Sequence, residues 1–541
     1  MNDTASAQQE MPARTTAWSP LRIPLFRALW LATIASSIGT WMHEIGAGWL
    51  MTSLSPTPVM VALVQTATTL PLLLLALPSG ALADIIDRRR YLLFVQLWLA
   101  AVATVLGVLT VTGITTAWML VMLTFAMGIG VAMMMPAWAA VTPEIVPRVE
   151  LQNAIALNSM GMNVARAIGP AVAGIIVSLA GTGVVFLLNA VSFFAVMVVL
   201  YRWRRDVQAS SLPGERFLSA LRTGWRFARH HGPLHGAIFR GMGFFVFASA
   251  SWALLPLIAR VRVGGGPDTF GILVASIGAG AVAGALLLPR LRRSLSRDGL
   301  ITAGTLLYAS SMLALAWLTR LPALVPAMFA SGIAWIAVLS SLQVSAQLAL
   351  PDWVRSRGLA VFMATFMGSM ALGSLGWGAV AQASSIPLAL TLAAAGAMAA
   401  AALTRRWPVS GVEDIDLSPS MHWPEPNVHG GIRPDRGPVM VTVRYQVDPD
   451  KRGAFLRCIR ETGRRRQRDG AFGWGIVEDT EHPHLFMEYF MGESWLEHLR
   501  QHERVTGADR ELRDRLHAQL KPGTEPVIEH YIAPDRGEES T

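Results

Sequence analysis

The sequence predicts an all-α membrane protein of twelve transmembrane helices in two six-helix bundles, followed by a small α+β domain of ferredoxin-like type. Three observations carry that prediction. Hydrophobic residues make up 52% of the 541-residue chain and charged residues only 15%, against about a quarter charged in soluble domains. Apolar stretches long enough for helices of about 20 residues recur from residue 25 to residue 404. Past Arg405-Arg406 the pattern changes to short alternating and amphipathic segments.

The polar stretch 1–23 reads as a cytoplasmic tail, because no short apolar run with a small-residue cleavage site follows it. Twelve apolar segments then lie near 25–49, 58–82, 91–112, 117–138, 154–178, 183–201, 236–259, 269–289, 299–319, 322–345, 358–380 and 386–404. Basic loops follow the even-numbered spans, with Arg88, Arg89 and Arg90, then Arg148, a long connection over 202–235, Arg290, Arg292, Arg293 and Arg297, and finally Arg355 and Arg357. Odd-numbered spans are followed by nearly neutral loops, with Arg260, Arg262 and Arg320 as exceptions. The positive-inside rule therefore puts both termini in the cytoplasm. The net charge of +9 is accounted for by this topology and by contact with lipid headgroups, so no nucleic-acid partner is expected.

The long connection after the sixth span divides the membrane part into bundles at 24–201 and 236–406. Pro143-Glu-Ile-Val-Pro-Arg148 follows span four and Pro351-Asp-Trp-Val-Arg355 follows span ten, and equivalent turns with a shared Pro, acid, Val, Arg order indicate a duplication. Within 202–235, Phe217, Leu218, Leu221, Trp225 and Ala228 recur near helical spacing beside Arg216, Arg222, Arg226 and Arg229. That pattern suits an amphipathic helix on the inner membrane surface or a solvated linker helix. Residues 407–437 are rich in Pro and Gly and read as a linker. The segment 438–533 shows strand, helix, two strands, helical material and a final strand. A tail, 534–541, ends the chain. So small a domain would gain from covering its sheet with a second copy of itself or with the membrane domain.

Charged and polar residues inside apolar spans are the functional candidates, because each costs free energy there unless it is paired or faces water. Glu44, in Trp41-Met-His-Glu-Ile-Gly-Ala-Gly-Trp49, is the one carboxylate well inside the first six spans. With His43 beside it, it is either a proton-coupling group or an acid at the outer interface. Arg166 in span five either snorkels to the inner surface or lines a cavity, with Asn163 and Trp41 as companions. Gly169, Pro170 and Gly174 give the same span a pliable, closely packing segment. Between spans two and three, Gly80, Asp84, Asp87, Arg88, Arg89 and Arg90 form a charged turn, which is either a topogenic loop or a control point for bundle movement. Pro351, Asp352 and Arg355, in the second-half loop after span ten, match the Pro143–Arg148 turn after span four. The single cysteine, Cys458, excludes an intrachain disulfide. The histidines after residue 480 form no zinc pattern and read as solvated or packing residues. No phosphate-binding Gly-Lys loop accompanies them, which argues against ATP as the energy source, and no cofactor is expected.

The stretch Gly80-Ala-Leu-Ala-Asp-Ile-Ile-Asp-Arg-Arg-Arg90 resembles the loop motif between helices two and three of the major facilitator superfamily, with Asp87 where that motif usually has Gly. Gly169-Pro170 with Gly174 resembles the fifth-helix motif of exporters in that superfamily, although Ile175 replaces the usual last Gly. Phe26-Arg-Ala-Leu-Trp-Leu31, Gly39-Thr-Trp-Met42, Leu151–Ser159, Ala165–Pro170 and Leu288–Arg293 are similar to the bacterial branch of enterobactin-exporter-like and macrolide-efflux-like proteins, the transmembrane secretion effectors. The final segment looks distantly like antibiotic-biosynthesis monooxygenases.

The resemblance implies a non-enzymatic secondary transporter of the bacterial inner membrane. It would exchange protons for a hydrophobic or amphipathic small molecule, such as a drug or siderophore, by alternating access. An importer of the same architecture and a membrane-tethered enzyme acting through 438–533 are the alternatives. A converging buried polar pocket in that last domain bears on the third reading, and a tightly packed interior favours a dimerisation or regulatory module.

Overall fold

The computed structural model describes residues 16–139, 141–203, 227, 229–351, 353–411, 416, 418, 420, 423, 432–433 and 435–534. The first bundle contains α1 (Pro24–Leu54), α2 (Pro58–Ile85), α3 (Arg88–Val111), α4 (Ala117–Ala139), the short α5 (Val141–Ile145), α6 (Leu151–Ala180) and α7 (Thr182–Arg202). The second contains α8 (Gly232–Leu257), α9 (Pro267–Ser294), α10 (Arg297–Trp317), α11 (Leu321–Leu348), α12 (Arg355–Ala383) and α13 (Ile386–Leu403). The fifth span of the sequence is thus α6.

Among the described residues, eleven helices are long and apolar enough to cross a membrane, one fewer than the twelve spans expected. The difference is α1. It runs for 31 residues and packs in the first bundle against α6 and α7, but Arg27, His43, Glu44 and many small polar residues dilute its hydropathy. Proline in the first turn starts α1, α2, α8, α9, α11 and α13, where its missing N–H costs nothing. The 202–235 connection is described only at its two ends and at Phe227, so most of the amphipathic segment lies outside the described residues.

The two bundles meet along two seams, α2 with α12 and α6 with α9. These are spans two with eleven and five with eight, equivalent pairs in a duplicated chain. Polar contacts tie the α2–α12 seam toward the end where α1 passes into α2. Val59 N donates to Gln382 Oε1 (3.4 Å) and Thr66 Oγ1 to Ala371 O (3.2 Å). From the segment after α8, Arg260 Nη1 donates to Thr52 Oγ1 (3.1 Å) at the end of α1, and its guanidinium lies 5.5 Å from the Trp49 ring.

The α+β domain is a four-stranded antiparallel sheet ordered β2-β3-β1-β4, from β1 (Val439–Gln446), β2 (Phe472–Glu478), β3 (Leu485–Gly492) and β4 (Val527–Ile532). With α14 (Arg452–Arg468) after β1 and α15 (Trp495–Arg504) and α16 (Gly507–His517) before β4, the connectivity is the predicted ferredoxin-like one. The domain sits on the second bundle at the end where α11 passes into α12. Arg504 lies over Trp353 (4.5 Å to the ring centroid), Arg468 over Phe227 (5.7 Å), and Phe227 meets Trp353 edge-on at 5.5 Å. Just past α13, the amides of Val409 and Ser410 donate to the Asp298 carboxylate (both 3.1 Å), which also pairs with the buried Arg240 at 2.7 Å.

Candidate functional site

A cavity of about 240 Å³ opens between the bundles, walled by α1, α2, α4 and α7 on one side and by α8, α9 and α12 on the other. Trp41 and Glu44 stand three residues apart on α1, so helical geometry puts both on the cavity face. Glu44 retains an accessible carboxylate there. His43, one residue earlier, also borders the cavity but is only 3% exposed, with its ring tilted against Phe186 at 4.7 Å. Neither of its ring nitrogens meets a partner among the described residues.

Gln65, Thr68 and Thr69 of α2 and Asn189 of α7 add polar groups, and Trp252, Phe270 and Met367 bring apolar surface from the second bundle. Those last three were not distinguishable in the sequence, because large apolar residues occur in every span and only the crossing of the helices makes three of them converge.

Arg166 lies outside that lining but acts electrostatically on Glu44, and its guanidinium sits 5.7 Å from the Trp41 ring centroid. An acid of α1 and a guanidinium of α6 are therefore electrostatically coupled. Asn163, one turn earlier, does not border the cavity; its Nδ2 donates to Ser159 O in its own helix (2.9 Å).

Pro170 and Gly174 build the α6 side of the inter-bundle seam, while Gly169 packs on α1 inside its own bundle. A Cβ at Gly169 would stand 2.6 Å from Trp41 Cβ, and one at Gly174 would stand 3.0 Å from Pro267 O and 3.2 Å from the Gly271 Cα. Backbone touches backbone here, which only glycine permits.

The charged turn is built from the start of α3. Asp87 Oδ1 accepts from Arg90 N at 3.0 Å and caps α3, so the residue that departs from the family motif has a local role. Arg88 pairs with Glu144, tying this turn to α5 after span four. Arg89 Nε donates to Leu200 O (3.0 Å) and its guanidinium lies 5.6 Å from the Tyr201 ring, anchoring the turn to the end of α7. Arg90 is exposed. Gly80 and Asp84 fall in the last turns of α2, and their surroundings, like Asp352, lie outside the described residues. In the second half, Pro351 is buried and Arg355 begins α12.

In the α+β domain, His498, His502 and His530 cluster, with 5.0 Å between the first two ring centroids and 4.9 Å between the first and third. Among the described residues no three His, Cys, Asp or Glu side chains are placed to hold a metal ion. Burial first, and then the charges of His502, His530 and Arg466, push His498 down to about 3; burial, His530 and Arg466 push His502 down to about 4. Below about pH 6.5 the unfolded chain takes up protons that the folded domain refuses, so stability is complete above that pH and falls as the pH drops toward 4. The slope is at most about 1.4 kcal/mol per pH unit for each histidine. Hydrogen exchange over residues 439–532 of the full chain should show protection falling between pH 7 and pH 5, less steeply in His498→Phe. Parallel pH profiles for the two chains would exclude this histidine as the source.

Residues 15–538 match the family model described as transmembrane secretion effector. An uncharacterized MFS-type transporter of Bacillus subtilis, YfiS, is 27% identical over 384 residues, covering 68% of this chain and 90% of the relative. The staphyloferrin A transporter of Staphylococcus aureus is 23% identical, covering 51% of this chain and 70% of its own length. Macrolide efflux protein A of Streptococcus pyogenes is also 23% identical, with 53% and 71% covered. Among solved structures, an inward-facing bacterial homologue of the iron transporter ferroportin superposes with a TM-score of 0.56 at 15% identity, over 72% of this chain and 99% of that one. An inward-facing, unoccupied bacterial homologue of the lysosomal transporter Spinster gives 0.54 at 15%, over 73% and 96%.

Proposed function

The chain belongs to the transmembrane secretion effector family of major facilitator transporters, and from that membership we propose that it is a proton-driven exporter of hydrophobic or amphipathic small molecules. The observation that carries the reading is Glu44, an ionisable group opening onto a cavity shared by both bundles with the Arg166 guanidinium nearby. Intramembrane carboxylates of this kind serve as proton relays. In one state Glu44 holds a proton and in the other it pairs with Arg166, and His43 belongs to the same layer of α1.

Trp41, Trp252, Phe270 and Met367 supply the adaptable apolar wall that an amphipathic molecule needs. Relatives named for a siderophore and for macrolides support that substrate class. The basic turn at Arg88–Arg90 supports cytoplasmic termini in an inner membrane, with headgroup contacts on that face. On that orientation the α2–α12 and α6–α9 seams close the outer side, so the present arrangement is inward-facing. Asp87, Arg88 and Arg89 then brace the inner gate, Asp84 stands at its edge, and Pro351 to Arg355 serve the second bundle.

Everted vesicles carrying the full chain, energised with an acid interior, should accumulate a macrolide and lose it when nigericin collapses the pH gradient. Accumulation in right-side-out vesicles instead would reverse the direction. Indifference to nigericin would remove the proton.

A further inference from the structure

The α+β domain is not filled on one side of its sheet. Successive rows on that face are Phe490, Val441 and His530, then Glu488, Val443 and Ile528, each crossing β3, β1 and β4 in register. At one end of the face, Phe455, Ile459 and Phe486 close the core. Toward the other end the helices stand off and leave a cavity of about 780 Å³, within the usual range for a small-molecule site.

Two features give the cavity a chemistry. The Arg466 guanidinium lies 4.3 Å from the Trp423 ring centroid and 4.5 Å from that of Phe490, so a flat cation is held against aromatic surface and presented to the space. Behind it, the fully buried Glu488 accepts hydrogen bonds from Tyr445 Oη and Trp474 Nε1 (both 2.9 Å) and faces Arg466 Nε at 3.5 Å. The acid is thus occupied by its own neighbours. Of the other charges on the lining, Arg465 and Asp509 pair with each other, Asp469 pairs with Arg468 and Glu529 with Arg444, which leaves the aromatic-backed guanidinium of Arg466 as the cation for a guest. Beside Arg466 stand the imidazoles of His498, His502 and His530, with His502 edge-on to Trp423 at 5.0 Å; they offer flat surfaces and hydrogen-bonding nitrogens.

We propose that this cavity binds a planar aromatic acid, with the carboxylate on Arg466 and the rings stacked among Trp423, Phe490 and the three histidines. The site is separate from the transport cavity of the membrane domain. It also has a mechanical connection to that domain: α15 carries His498 and His502 on the cavity side and Arg504 on the Trp353 side, and Asp469, which borders the cavity, is paired to the Arg468 that covers Phe227. An occupant pressing on α15 therefore bears on the turn between spans ten and eleven.

The test uses the full chain in lipid nanodiscs, with 2-naphthoate as the probe and 2-naphthol and 2-naphthylmethylamine as its neutral and cationic counterparts. Equilibrium dialysis should give one saturable 2-naphthoate site per chain, at least tenfold tighter than either counterpart. Arg466→Met should remove that preference while leaving 2-naphthol within threefold. Because this variant leaves Glu488 without its cation and could unfold the domain, Ile528→Trp is the second arm. Its half-exposed edge-strand position tolerates a larger ring, which fills the cavity with Arg466 intact, and it should weaken all three probes at least tenfold. Uptake equal to that of empty nanodiscs, or equal binding to the parent chain and to Ile528→Trp, would overturn the proposal. So would loss of the site in Glu44→Gln, which would place the probe in the membrane cavity instead.

Discussion

A Glu44→Gln chain is expected to equilibrate substrate across a bilayer yet fail to concentrate it. Each pH unit is worth about 1.4 kcal/mol per proton, so a one-for-one exchange across about two pH units can sustain an about 100-fold substrate ratio. With glutamine the carboxylate can no longer give up a proton, Arg166 loses its alternating partner, and the ratio should relax to about one. Glutamine has nearly the shape of a protonated glutamate, so the packing of α1 beside α6 and α7 is unchanged. Downhill flux and substrate binding should therefore persist, which separates uncoupling from misfolding. A variant that still builds the full gradient in proteoliposomes would show that the proton travels elsewhere.

Gly271→Leu should stop turnover by a different route. Gly271 of α9 faces the backbone of α6, and a Cβ there would stand 2.8 Å from Pro170 O and 3.0 Å from the Gly174 Cα. Neither neighbour is a side chain that can swing away. A leucine adds three more carbons, and overpacking of this kind costs about 1–3 kcal/mol. The cost falls on the arrangement in which α6 and α9 are in contact, so the variant is biased toward the opposite state. Transport should fall at least about tenfold, the factor that 1.4 kcal/mol supplies, with Gly271→Ala intermediate and substrate binding retained. Wild-type rates in Gly271→Leu would mean that this seam separates in every state of the cycle.

The membrane part was legible because hydrocarbon leaves few options: a span must be helical and apolar over about 20 residues, and eleven of the long helices meet that demand. The element order of the α+β domain was legible from strand alternation and helical spacing, and the sheet has the expected connectivity. Glu44 and Arg166 drew attention as charges where charges are expensive. The α1 helix was readable by its length and its place beside α2, while its diluted hydropathy reflects the polar residues that the cavity uses.

Other features depend on distances between residues far apart in the chain. The partners Arg88 and Glu144 are separated by 56 positions, and each by itself is an ordinary loop charge. His498, His502 and His530 read in the sequence as solvated or packing residues, and only the pairing of β4 with β1 and the fold of α15 over the same face bring them together. Whether Asn163, one turn from Arg166, borders the cavity is a matter of helix rotation, which packing sets. The sequence by itself thus determined which segments are apolar enough to enter the membrane and the element order of the last domain, since these follow from local periodicity and transfer free energy. Only the tertiary structure decided that Glu44 faces a shared cavity, that α6 and α9 touch at glycines, and that the final domain is hollow, because each of these is a relation between surfaces.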